Sequence, residues 1–308
     1  MPMPFFEFEG HRLAYTIYGQ GNRPIVLLHG QLLSQTMQQA LARSLAERGQ
    51  RVITVDLLGH GQSDKPDEMA LYSMQRYAEQ VLALLDHLEL EKAVIGGTSL
   101  GANVALEFAA LAPGRLQGLL IEMPVLEHGV VAAVMIFAPL LELMVLAKPV
   151  VRAVSAAWSL VPRQRLPLFA RIVVEALAQD HNASASVLQG LVYGRTAPPA
   201  RLRRTFEAPA LVLGHPRDPL HPFTDADALS RELPNGTLLQ ASSIVELRTR
   251  PDRLTPQIAE WLDSVWGVEG TRSGGRGAAP ARPARRRPAR RTRPAGRRTA
   301  SRRAGATG

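Results

Sequence analysis

Ser99 stands in the run Gly97, Thr98, Ser99, Leu100, Gly101, directly after a strand-like segment at 92–96 (KAVIG) and directly before a helical one at 100–111. A glycine two residues to either side of a serine, at a strand-to-helix turn, is the G-x-S-x-G nucleophile elbow. The need for glycine is steric, since a side chain at either position meets the neighbouring strand or helix. The turn holds the serine hydroxyl at a helix N-terminus, where backbone N–H groups and the helix dipole favour developing negative charge. A plain glycine–serine turn capping a helix has the same letters. The strand before it and the helix after it favour the nucleophile.

Two loops belong to the same edge. His29, Gly30 and Gln31 end the apolar run at 24–29 (PIVLLH), and the N–H groups of Gln31 and Leu100 are placed to form an oxyanion hole. Residues 56–63 (DLLGHGQS) follow the next apolar run and read as a tight loop beside them.

The elements that must position these residues follow from hydropathy patterning. Residues 5–9 and 12–18 read as opening strands joined by a turn, and 24–29, 51–56, 92–96 and 116–122 as short buried strands. Helical patterns at 34–48, 73–88 and 100–111 separate them. Such alternation predicts a mostly parallel sheet covered on both faces. From 124 to 207 the pattern is helical, Ala/Val/Leu-rich and broken by prolines; strands return at 210–214 and 237–241, and a last helix at 255–266. An insertion of about 84 residues is too long for a plain crossover and reads as a helical lid. Its most apolar part, 129–147, is interrupted by Pro139 and Glu142. It is read as a buried or cleft-lining helix pair, not a membrane span, because a charge near mid-helix is costly in lipid.

The motifs HG at 29–30, DLLGHGQS at 56–63 and GTSLG at 97–101, in that order, resemble the α/β-hydrolase fold family, over residues 5 to about 267. The resemblance implies a core at 1–124 and 208–269, a helical cap at 125–207, and Ser99 as nucleophile. Serine rather than aspartate at the elbow points away from haloalkane dehalogenase or epoxide hydrolase chemistry. It favours ester, lactone, thioester or amide cleavage, or cofactor-free perhydrolase chemistry. Asp218, after the strand at 210–214, matches the family's acid, with Glu122 as the alternative. The family's histidine position, counted back from Pro251, is occupied by Ile244, and no histidine follows His221. A serine hydroxyl without a base is a poor nucleophile. His221 preserves the order Ser, Asp, His but lies three residues past Asp218, so both must approach Ser99 from one loop; His128 and His181 in the cap are the other candidates. The base stays unassigned at this stage.

The 308 residues contain no cysteine, which excludes disulfides, thiolate metal sites and Cys nucleophiles. The net charge of +9 is uneven: residues 271–308 hold 13 of the 36 basic residues and none of the 27 acids, leaving 23 basic against 27 acidic groups before them. That Arg/Ala/Pro-rich tail, 270–308, has nothing to bury and is expected to be disordered, with non-specific polyanion contact as a use for it. No signal peptide is legible at the start, so a cytoplasmic chain is expected. The expected activity is a serine hydrolase acting on a lipophilic ester or related acyl compound, with no metal or organic cofactor. The alternative is a non-catalytic relative that binds a small molecule or partner.

Overall fold

The computed structural model describes residues 3–267 apart from Pro219 and the side chain of Gln164. The basic tail lies outside the described residues. Eight strands form one sheet: β1 (Phe5–Phe8), β2 (His11–Tyr18), β3 (Pro24–Leu28), β4 (Arg51–Val55), β5 (Ala93–Thr98), β6 (Leu116–Glu122), β7 (Ala210–Gly214) and β8 (Gly236–Gln240), in the spatial order β1-β2-β4-β3-β5-β6-β7-β8. β1 and β2 pair antiparallel, β2 joins β4 antiparallel, and all remaining pairs are parallel. Every residue of β3, β5 and β7 is buried, which is why they read as continuous apolar runs without alternation.

Helices cover both faces. On one lie α2 (Met74–His87), α3 (Leu100–Leu111) and α9 (Phe223–Glu232), packing Tyr77, Val81, Val104, Phe108 and Leu229 against the sheet. On the other lie α1 (Gln39–Ala46), α10 (Glu246–Thr249) and α11 (Thr255–Val265), which contribute Leu41, Leu45, Leu247, Ile258 and Leu262. The winding reverses at β3: the chain first crosses to β4 and later returns to lay β5 on the other side of β3. In open α/β sheets, ligands bind at such a switch point, beyond the carboxyl ends of the strands. Gln31 follows β3 and Ser99 follows β5, so both stand there.

The insertion between β6 and β7 is helical: α4 (Gly129–Leu146), α5 (Lys148–Ser159), α6 (Leu168–Leu177), α7 (His181–Tyr193), and the short α8 (Ala200–Arg203) leading back. The stretch expected as a buried or cleft-lining helix pair is one helix, α4; only Gly129 and Met144 in it are buried, and Val130, Val134 and Phe137 line a cleft. Pro139 does not split it because the proline is on the exposed side, where water can satisfy the carbonyl that the missing N–H leaves free. By length and composition α4 is also apolar enough to cross a membrane.

Three contacts seat the cap on the core. Asp225 of α9 accepts the N–H groups of Leu126 (2.8 Å), His128 (3.2 Å) and Gly129 (2.8 Å), supplying from another element the cap that α4 lacks in its own sequence. The Asn103 amide donates to Val125 O and Thr196 O, both at 2.8 Å, tying both ends of the insertion to α3. Gly190 brings α7 against the turn before α2 so closely that a Cβ there would stand 2.3 Å from Tyr72 O. Gly190→Ala is therefore expected to cost about 1–3 kcal/mol by overpacking. Urea unfolding should show a lower midpoint; an unchanged one would mean that α7 is free to shift outward.

Candidate active site

The elbow forms as its spacing dictates. Ser99 has φ 56° and ψ −110°, a strained conformation for a residue with a side chain. A Cβ on Gly97 would lie 2.4 Å from the Gly101 carbonyl carbon, and one on Gly101 would lie 2.6 Å from Leu28 O. No other residue fits at either position. The turn is held by Ser99 N–H donating to Glu122 O (2.9 Å) and Gly101 N–H donating to His29 O (3.1 Å). The second bond also ties the end of β3 to the start of α3.

The loop carrying Gln31 is fixed from below. Asp56 accepts the Gln35 N–H (2.7 Å), the Gln35 side-chain amide (3.0 Å) and the Gln62 N–H (2.9 Å). His29 accepts the Leu57 N–H at Nε2 (3.1 Å), which leaves its Nδ1–H to donate to Gly30 O (2.9 Å). Burial lowers the pKa of His29 and, more strongly, of His60, so both rings are neutral structural groups. Among the described residues no acceptor within the chain takes the Gln31 N–H, and the Leu100 N–H is an orphan of the first turn of α3. Gln31, Ser99 and Leu100 line one cavity of about 200 Å³.

Asp218 and His221 approach Ser99 from one loop. Asp218 Oδ1 accepts the N–H groups of Leu220 (2.9 Å) and His221 (3.0 Å), a side-chain turn that bends the chain back on its own carboxylate. The fold-back sets His221 Nδ1 2.8 Å from Asp218 Oδ2 and His221 Nε2 2.8 Å from Ser99 Oγ. The carboxylate assigns the proton to Nδ1, so Nε2 is free to accept the serine O–H. Burial raises the Asp218 pKa, but hydrogen bonds from the His221 ring and the two backbone N–H groups outweigh it and hold the carboxyl below its ordinary value. Two residues between acid and imidazole suffice because the turn is made by the acid itself.

The other candidates stand elsewhere. His128 pairs with Asp225 (2.8 Å) and is largely exposed, and His181 starts α7 beneath the Asp180 cap. Ile244, 43% exposed, does not line the cavity. Glu246 is tied to Ser242 and Arg253. Glu122, the alternative acid, is occupied by a group the sequence did not signal: Arg248 of α10 is buried against it and against the Thr98 hydroxyl, which itself donates to Glu122. His215 Nε2 lies 3.3 Å from the same carboxylate. Burial would raise the Glu122 pKa, but the Arg248 charge and His215 bring it down to about 2.

Above Ser99 the cavity is apolar. α4 contributes Val130, Val134 and Phe137, and α7 contributes Leu188 and Leu191. The buried Gln31 amide has neither donor nor acceptor partner among the described residues. A second, larger cleft of about 450 Å³, lined by Ser34, Asp56, Lys65, Arg171 and Glu175, contains none of Ser99, Asp218 and His221.

Removing one member of a buried ion pair strands the other, at a cost of about 3–5 kcal/mol. Arg248→Met is expected to show that loss at neutral pH. In the native chain the Glu122 contribution is present above pH 4.5, its ordinary value, and is lost as pH falls through about 2. Acid unfolding monitored by circular dichroism should therefore begin at higher pH in Arg248→Met. An unchanged profile would mean that the pair contributes nothing net.

The alpha/beta hydrolase fold family profile matches residues 23–240. A haloalkane dehalogenase of Mycolicibacterium paratuberculosis is 35% identical over 98 residues, 32% of this chain and 33% of that protein. The match spans about a third of the length of the curated relatives. Among solved structures, a thermophilic esterase from Thermogutta terrifontis has a TM-score of 0.65 at 25% identity, covering 85% of this chain and 97% of that one. The enol-lactonase from Burkholderia xenovorans LB400 has a TM-score of 0.68 at 20% identity, covering 84% and 99%. With the sheet order, the elbow and the helical insertion already established, the profile match means that this chain belongs to the alpha/beta hydrolase fold family.

Proposed function

We propose that the chain is a serine hydrolase that cleaves an ester or related acyl bond of a lipophilic small molecule. One observation carries the reading: His221 Nε2 at 2.8 Å from Ser99 Oγ, with its other nitrogen on Asp218. That is the nucleophile–base–acid relation of a catalytic triad, recognised by geometry rather than by sequence position.

As the Ser99 oxygen attacks the substrate carbonyl carbon, its proton passes to His221 Nε2. Asp218 holds the ring in orientation and stabilises the imidazolium. The carbonyl oxygen takes up the negative charge between the N–H groups of Gln31 and Leu100, in a cavity with little water to compete. When the tetrahedral species collapses, His221 returns the proton to the departing oxygen and the acyl group stays on Ser99. A water molecule then repeats the sequence, with His221 as its base, and releases the acid.

The lipophilic part of the proposal rests on the α4 and α7 side chains above Ser99. The unpaired Gln31 amide adds a preference for a substrate with one polar group near the scissile bond, since filling that cavity otherwise leaves a buried amide unsatisfied. Esterase and lactonase relatives share the fold, and Ser99 is an oxygen nucleophile suited to either bond. The reading as a non-catalytic binder drew on Ile244 standing at the usual histidine position; with an imidazole beside Ser99 from another loop, that residue no longer argues for it.

The test is turnover of p-nitrophenyl esters of increasing acyl length. Ser99→Ala and His221→Ala are each expected to lower kcat by roughly 10⁴–10⁶-fold, and Asp218→Asn by about 10⁴-fold. Ile244→Ala should stay within about twofold of the parent, as it touches none of the reacting groups. No turnover above the Ser99→Ala background on any ester would sink the proposal.

A further inference from the structure

The larger cleft, of about 450 Å³, lies where the cap meets the core. α6 and the chain beside it supply Arg163, Arg171, Glu175 and Asp180, while the loop after β4 supplies Asp56 and Lys65. Three cations and three carboxylates thus share one wall, but they are not spent on one another. Asp56 is taken by the N–H groups of Gln35 and Gln62 and by the Gln35 side-chain amide. Glu175 accepts the Ser34 hydroxyl (2.6 Å), and Asp180 accepts the Ala183 N–H (3.0 Å) as the cap of α7. The cations meet neutral partners or none. Lys65 Nζ donates to the carbonyls of Gly61 (2.6 Å) and Ser63 (2.8 Å), which leaves it a further N–H. Arg171 Nη2 donates to Gln39 Oε1 (2.8 Å); its Nε is buried without a hydrogen-bond partner, with Glu175 Oε1 standing off at 3.5 Å. Arg163 makes no ion pair among the described residues.

Burial pushes the Lys65 pKa down, and the charges of Asp56, Asp180 and Asp64 offset only part of that. Partly buried cations whose neighbouring carboxylates are committed elsewhere are stabilised by an anion from outside. We propose that this cleft is a second ligand site, for a small organic monocarboxylate with an apolar body. The carboxylate meets Lys65, Arg163 and Arg171, and the body rests on Met3, Phe5 and Tyr18. The resident carboxylates set the charge of the ligand: one added negative charge is matched by the unspent N–H groups, whereas a dianion is repelled by Asp56, Glu175 and Asp180. Because Arg171 belongs to the cap and Tyr18 and Lys65 to the core, an occupant ties the two together beside the Ser34–Glu175 bond. None of Ser99, Asp218 and His221 lines the cleft, so the site does not rest on the hydrolase reading.

The experiment is calorimetric titration of the full chain with benzoate, hexanoate, sulfate and benzylamine at low ionic strength. Benzoate and hexanoate should each saturate one site, and sulfate and benzylamine should bind far more weakly. Arg171→Leu and Lys65→Met should each weaken benzoate binding by about tenfold or more, as loss of a partly buried charge partner does. Arg163→Ala, which breaks no ion pair of the fold, should weaken it by about threefold. Circular dichroism checks that each variant is folded, and Ser99→Ala should bind as the parent does. With benzoate present, amide exchange should slow in α6 and in the segment 34–39. Benzoate binding that Arg171→Leu and Arg163→Ala leave unchanged would overturn the inference and assign the ligand to the Ser99 cavity or to the basic residues after 270. The absence of saturable benzoate and hexanoate binding, or sulfate or benzylamine binding as tightly as benzoate, would overturn it as well. A chain that binds benzoate through Arg171 but hydrolyses no ester would leave this inference standing and remove the hydrolase reading.

Discussion

Everything at the site depends on the approach of α3 to the end of β3. Gly101 N–H bonds to His29 O, and the space between the two backbones is too small for one methyl group. The contact fixes where the helix N-terminus points, sets the Leu100 N–H opposite Gln31, and forces Ser99 into a positive φ. Strain at one residue is the cost of presenting a hydroxyl at the tip of a sheet. The buried strands on either side, with no exposed edge between β4 and β7, keep the turn from relaxing.

The remaining parts are attached to this point by polar contacts at strand ends. Asp56 closes the loop that carries Gln31, Asn103 ties both ends of the cap to α3, and Asp225 caps α4 from α9. Behind the serine, Arg248 and Glu122 pair as buried charges, with Thr98, the residue before Ser99, bonded to both. The loop after β8 thus serves the elbow as a structural clamp, and Ile244 beside it lies outside the lining of the cavity at Ser99.

Much of this was legible in the letters. Continuous apolar runs located the strands, and the glycine spacing located the strained turn at Ser99, because both are local steric signals. The pairing of Asp218 with His221 was visible only as an unfavoured option. Its geometry depends on a side-chain-to-backbone turn, and spacing alone does not reveal whether an Asp bonds forwards to its own loop or elsewhere. α4 was expected as two pieces, buried or lining a cleft; it lines a cleft as one helix, and hydrophobicity alone does not say which side is covered. Pro139 reads as a break, yet it is tolerated where water reaches the freed carbonyl. Arg248 gave no signal at all, since a lone arginine in a polar loop is ordinarily solvated and its burial is decided by Glu122, 126 positions earlier.

Placing acid and imidazole on one turn changes how the proposed catalytic group is assembled. Where these two residues come from separate loops, each folding or breathing motion of either loop misaligns the pair. Here the alignment is a short-range contact, closed on Asp218 by the N–H groups of Leu220 and His221 and by the His221 ring. A single joint, between the loop after β7 and the elbow after β5, then governs whether the hydroxyl is paired. In the proposed hydrolase the segment after β8 supplies no reacting group, and what constrains it is the buried pairing of Arg248 with Glu122 and Thr98.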